Sequence, residues 1–247
     1  MRSLLLGIIA AMISFAAQAG EAVTYEVNGE SFEGYKAPAK GSSKGLVVIV
    51  HDWNGADEYE QKRADMLAEL GYDAFAIDIF GKGNRPDTLD ARKKETGRLY
   101  QDRARMRALL LGGLAEARKA TGQAKVVVMG YCFGGGAALE LARSGEAKDV
   151  AGYAIFHGTL ATPEGQSYPK DTPPLFIAHG GADTSIPMDR VAALSKELEE
   201  AGVTYEIIVY SGAPHAFTNF SSERYQERAD KLSWDAFTDF LATTFGG

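Results

Sequence analysis

Val126-Val127-Val128-Met129-Gly130-Tyr131-Cys132-Phe133-Gly134-Gly135-Gly136 is the stretch that decides the fold. Lys125 to Met129 is a mostly β-branched run, apolar on both faces, which suits a strand in the middle of a largely parallel sheet. Gly134 to Arg143 opens with glycines and turns apolar, a helical pattern. Between them lies Gly-x-Cys-x-Gly. A strand that runs through such a turn straight into a helix holds its central side chain at a sharp, strained corner. Gly130 and Gly134 carry no Cβ, so other chain segments can pass close to that corner. The start of the helix presents free N–H groups and a positive dipole end, both of which favour a thiolate. Cys132 is therefore the candidate nucleophile. The competing reading is an inert cysteine buried beside a glycine turn.

Outward from this stretch, strands alternate with helices. Val23 to Val27 and Ser31 to Tyr35 flank Asn28-Gly29, a dipeptide suited to the positive φ values of a hairpin turn. Buried strands are predicted at Leu46 to Val50, Ala74 to Ile79, Gly152 to Phe156 and Leu175 to Ala178, and a last one at Thr204 to Tyr210. Helices are predicted at Glu58 to Leu70, within a long region from Thr88 to Ala120, at Pro187 to Ala201 and at Ser222 to Phe240. This alternation predicts an α/β fold with a parallel sheet. The 247 residues fit one domain, and no repeat, low-complexity tract or linker divides them.

A cysteine nucleophile needs a base, and the base needs an orienting acid. In a fold of this kind nucleophile, acid and histidine follow one another along the chain, each on a loop after a strand. His215 sits after the Thr204 to Tyr210 strand, in Pro214-His215-Ala216-Phe217, and Asp183 sits after the Leu175 to Ala178 strand. Asp183 could instead cap the helix near Pro187. Asp189 falls inside that helix, and His157 and His179 end strands, where each could simply bond backbone. Val50-His51-Asp52-Trp53-Asn54-Gly55 follows a central strand. That loop is expected to supply one oxyanion-hole N–H, from Trp53, with the other coming from Phe133.

The formal net charge is −7, which leaves no electrostatic footprint for nucleic acid. The one basic run, Ala91-Arg92-Lys93-Lys94, reads as a solvated helix face. Arg2, the apolar stretch Leu4 to Ala17 and Ala17-Gln18-Ala19 have the form of a signal peptide over 1–19, with 20–247 as the exported domain in the periplasm or medium. The apolar stretch is short for a transmembrane helix, so no membrane span is expected after cleavage. Cys132 is the only cysteine, so an intrachain disulfide is impossible. There is no Cys/His/acid cluster at ligand spacing and no phosphate-binding loop, so neither a metal nor another cofactor is expected.

Together, Gly130-Tyr131-Cys132-Phe133-Gly134-Gly135, Gly180-Gly181-Ala182-Asp183 with Pro187, Pro214-His215-Ala216-Phe217 and Asp78-Ile79-Phe80 resemble the dienelactone hydrolase family from about Val23 to the C-terminus. The resemblance implies an α/β-hydrolase fold: a mostly parallel, twisted sheet of about eight strands with helices on both faces. It also implies cleavage of a small ester or lactone through an acyl-cysteine. There are two departures from the family. Its best-known members carry Glu where Asp52 stands, an acid thought to switch the resting thiol to thiolate. Asp52, one methylene shorter, either does this or caps the following helix. Dienelactone-cleaving members hold the substrate carboxylate with two arginines, and the matching positions are Lys82 and Asn219. Gly81 to Asp87 is expected to form a wall of the pocket. A non-catalytic binding protein, a redox-sensing thiol protein and an acyl-transfer or thioester-cleaving enzyme are the alternatives, and the oligomeric state is not legible.

Overall fold

The computed structural model describes residues 20–246; the proposed signal peptide, 1–19, lies outside them. Fourteen elements follow in chain order: β1 (Glu21–Val27), β2 (Glu30–Ala37), β3 (Leu46–Val50), α1 (Glu58–Glu69), β4 (Asp73–Ile77), α2 (Leu89–Gln101), α3 (Arg103–Thr121), β5 (Val126–Tyr131), α4 (Phe133–Ser144), β6 (Val150–Phe156), β7 (Leu175–Gly180), α5 (Met188–Ala201), β8 (Tyr205–Tyr210) and α6 (Glu227–Phe245). The eight strands form one sheet in the order β1-β2-β4-β3-β5-β6-β7-β8. β1 and β2 pair antiparallel and β2 joins β4 antiparallel. From β4 through β8 every pairing is parallel. This is the α/β-hydrolase architecture expected above.

Side-chain alternation divides the core into two layers. Val48, Val50, Val126, Val128, Ile155 and Ile177 face the side covered by α3, α4 and α5. Val47, Ile49, Val127, Met129, Phe156 and Phe176 face the side covered by α1 and α6. Strands covered on both faces carry no polar side, which is why β3 and β5 read as uninterrupted apolar runs. The β1–β2 turn has Asn28 and Gly29 at φ 53° and 79°, as the dipeptide predicts.

Three boundaries differ from the sequence expectation, each for a local reason. The region from Thr88 to Ala120 is two helices. Asp102 leaves helical geometry, and its carboxylate accepts the N–H of Arg105 and so starts α3 afresh. The final helix begins at Glu227 rather than Ser222, because the Gln226 N–H is donated to the Phe217 carbonyl and the Tyr225 N–H to Ser222. β4 stops at Ile77, since the Asp78 carboxylate turns the chain by accepting the N–H groups of Phe80 and Gly81.

Candidate active site

Parallel strands deliver their following loops to one end of the sheet. The loops after β3, β5, β7 and β8 therefore converge there, and each carries one of the residues singled out above. At the centre Cys132 stands between β5 and α4 with φ 50° and ψ −111°. This is a positive φ that a residue with a Cβ seldom adopts and that the surrounding packing must hold. Two glycines make the corner possible. A Cβ on Gly130 would run into the Gly134 carbonyl, and one on Gly134 into the Val50 carbonyl.

His215 brings its Nε2 to 3.1 Å from Cys132 Sγ and its Nδ1 to 2.8 Å from Asp183 Oδ2. The Asp183 side chain is fully buried, and its other oxygen accepts the N–H groups of Ser185 and Ile186, both at 2.8 Å. Asp183 is thus no helix cap; Pro187 occupies that position. Burial works to raise the Asp183 pKa, but the His215 bond and these backbone donors outweigh it and hold the carboxyl below its ordinary range. Burial by itself would depress His215. Its bonds to Asp183 and Cys132 overcome that and raise it to about 10. With Asp183 ionised, the His215 Nδ1–H donates to it, which leaves Nε2 to exchange a proton with the sulfur.

The loop after β3 is held by its own polar atoms. The Asp52 N–H is donated to Glu60, the Asn54 N–H to Asp52 Oδ1, the Gly55 N–H to the Asp52 carbonyl and the Asp57 N–H to Glu60. The Trp53 N–H finds no acceptor among the described residues, and Phe133 opens α4, where the first N–H groups have no helical partner. His51 is fully buried and fixed as a neutral tautomer: Nδ1–H donates to the Asp52 carbonyl, and Nε2 accepts the Ile79 N–H. Asp52 neither contacts the thiol nor caps α1, whose cap is Asp57. Its two oxygens take the Asn54 N–H at 2.6 Å and the Asn54 side-chain amide at 3.3 Å. Burial pushes its pKa up to about 6.

A cleft of about 560 Å³ opens over Cys132 and His215, with Asp52, Trp53, Thr159, Ile186 and Asn219 among its walls. Asn219 is placed as the sequence suggested; Lys82 is not. The Lys82 ammonium bonds the Thr24 hydroxyl and pairs with Glu33 on the exposed face of the hairpin. Gly81 to Asp87 also stays out of the cleft lining, tied partly to itself through Asn84 and Arg85. The cations that do line the cleft are Arg92 and Arg224. Arg92 belongs to the basic run assigned above to a solvated face. Lys93 and Lys94 are indeed exposed. Arg92 instead turns inward, with its Nε on the Pro86 carbonyl and its guanidinium 5.6 Å from the Trp53 ring. Helical periodicity alone could have separated it from its neighbours. Nothing local marks Arg224.

Two more histidines border the site. His179 Nε2–H donates to the Ile186 carbonyl and steadies the Asp183 loop. His157 ends a strand, where it could simply bond backbone. Its Nε2 instead meets the Thr218 hydroxyl at 2.8 Å, and its ring packs edgewise against His215 with centroids 5.3 Å apart. Burial keeps it neutral, so it adds no charge beside the imidazolium.

The model of the dienelactone hydrolase family matches residues 32–245. The chain belongs to the dienelactone hydrolase family. The carboxymethylenebutenolidase of Pseudomonas putida is 26% identical over 237 residues, covering 89% of this chain and 97% of that one. The protein usf of Aquifex pyrophilus is 29% identical over 212 residues, covering 83% and 89%. A solved dienelactone hydrolase-like promiscuous phosphotriesterase from metagenomic libraries shares the fold with a TM-score of 0.84 at 24% identity, covering 93% of this chain and 99% of that one. The dienelactone hydrolase sheet and the order of its loops are thus both present. Positive charge reaches the cleft wall from Arg92 and Arg224.

Proposed function

We propose that this family member is an exported hydrolase that cleaves a small ester or lactone through an acyl-cysteine intermediate on a Cys132-His215-Asp183 triad. The observation that carries the reading is the unbroken line from Asp183 Oδ2 through His215 to Cys132 Sγ, at 2.8 and 3.1 Å. The thiolate attacks the substrate carbonyl carbon and forms a C–S bond while the carbonyl electron pair moves onto oxygen. The Trp53 and Phe133 N–H groups receive that oxyanion, each such donor typically contributing about 3 kcal/mol. Collapse re-forms the carbonyl and breaks the C–O bond, and His215 Nε2–H protonates the leaving oxygen. In a lactone that oxygen stays attached to the acyl chain. Water then gives a proton to His215 Nε2, adds to the thioester and releases acid and Cys132. Hydrolysis of p-nitrophenyl acetate by wild-type protein and Cys132→Ala, side by side, tests this; equal rates would remove Cys132 as nucleophile.

Arg92 and Arg224 on the cleft wall favour a substrate whose acyl part carries a carboxylate. Replacing both with alanine is expected to raise KM for such an ester about tenfold, the equivalent of ~1.4 kcal/mol. The KM of a neutral ester of the same size should stay within about twofold. Equal changes for both esters would argue against a charge-selective wall.

Export is supported by Arg2, the apolar stretch Leu4 to Ala17 and Ala17-Gln18-Ala19. No helix among the described residues is long and apolar enough to cross a membrane.

A further inference from the structure

We infer that Glu60 is a positioning residue for the oxyanion hole, acting through the backbone of the loop 51–57; this rests on the hydrolase reading above. Glu60 lies in the first turn of α1, three residues after its cap, where a glutamate ordinarily reaches back to the cap N–H and no further. Here it does that with one oxygen, accepting the Asp57 N–H at 3.1 Å through Oε2. Its other oxygen, Oε1, accepts the N–H of Asp52 at 3.3 Å, five residues upstream of the cap. One carboxylate therefore grips the loop immediately before Trp53 and again at its far end.

The side chain is 1% exposed. A helix cap on a protein surface does not require that burial, and taking a carboxyl out of water is unfavourable unless its oxygens are well bonded. Asp52, whose N–H Glu60 holds, in turn takes both donors of Asn54. The two carboxylates consume the N–H groups on either side of Trp53 and leave the Trp53 N–H as the free donor. Glu60 fixes the peptide of residues 51 and 52, and the next peptide plane, which carries the Trp53 N–H, is joined to it at the Asp52 Cα, so a shift of the loop there would move that donor.

The test uses Glu60→Gln in the full-length protein. Glutamine matches the shape but offers one acceptor oxygen and a donor, so one of the two N–H groups loses its partner. Three readouts are compared with wild type: kcat and KM for p-nitrophenyl acetate, affinity for an aryl trifluoromethyl ketone, and the rate of Cys132 alkylation by iodoacetamide. The ketone accepts the thiolate at its carbonyl carbon and develops an oxyanion. Iodoacetamide loses iodide in a displacement that develops none. We expect kcat and ketone affinity to fall at least about tenfold, with KM and alkylation within about twofold. Asp57→Ala removes the side-chain cap on Tyr59 N–H but leaves both Glu60 bonds in place. It should lower thermal stability and keep kcat. The inference is overturned if Glu60→Gln keeps kcat and ketone affinity, if alkylation falls in step with kcat, or if Asp57→Ala loses kcat equally. Failure of the hydrolase reading shows separately, as wild-type turnover that survives Cys132→Ala.

Discussion

Cys132→Ala is expected to lower kcat for p-nitrophenyl acetate by about 10⁴-fold or more. No other side chain can take over. Cys132 is the only cysteine in the chain, and its sulfur alone stands at the corner that His215 Nε2 faces at 3.1 Å. Alanine should be well tolerated by the fold, because the positive φ of 50° is imposed by the strand-to-helix turn and is already carried by a residue with a Cβ. The residual rate would come from the oxyanion donors and the His215-Asp183 pair acting on water, as in triads stripped of their nucleophile. Substrate turnover, circular dichroism and thermal melting of the two proteins check this. A rate within tenfold of wild type, with an unchanged melt, would place the chemistry elsewhere.

Asp183→Asn should be nearly as damaging, lowering kcat by roughly 10³–10⁴-fold. Asp183 has two tasks on two oxygens: one accepts His215 Nδ1–H, and the other accepts the Ser185 and Ile186 N–H groups. Asparagine can serve only one side. If its amide nitrogen faces His215, the imidazole is driven into the tautomer whose Nε2 carries the proton and cannot accept one. If the nitrogen faces the loop, it opposes two N–H donors. The sign of the pH effect also follows. Burial depresses the His215 pKa, and the bonds to Asp183 and Cys132 lift it to about 10. The folded state therefore favours the imidazolium, and that contribution is present at neutral pH and lost as pH rises through the elevated value. Without the Asp183 charge the pKa falls, so Cys132 alkylation at neutral pH should slow and need more alkaline solution. Alkylation rates against pH for both proteins report this. Superimposable profiles would mean that Asp183 does not support the charged pair.

The residues divide cleanly by how far their meaning depends on contacts distant in sequence. The elbow was readable because its constraints are local: a buried strand, glycines two residues to either side of Cys132, and a helix start. Asp183 and His215 were readable because chain order and strand-end placement substitute for distance in a parallel sheet. The place of Trp53 on the cleft wall was readable for the same reason. Lys82, which the family resemblance points to as a substrate-binding position, stays out of the cleft because its ammonium bonds Thr24 on β1 and pairs with Glu33 on β2. Asp52 was assigned to the thiol or to a helix cap, and its oxygens belong instead to Asn54.

From the sequence by itself follow the α/β class and the strand-end loops that bring Cys132, Asp183 and His215 together. These depend on backbone sterics and hydrophobic period, which act within a few residues. Only the tertiary structure decided which cations reach the cleft, which carboxyl groups hold the loop 51–57, and that His157 packs on His215. All three depend on side-chain directions, and the first and last also on elements brought together from 30 or more residues apart, such as Arg92 near Trp53 and Thr218 on His157. Long polar side chains have many rotamers of similar energy in isolation. Their choice is made by the partners that the completed sheet and its helices bring within reach.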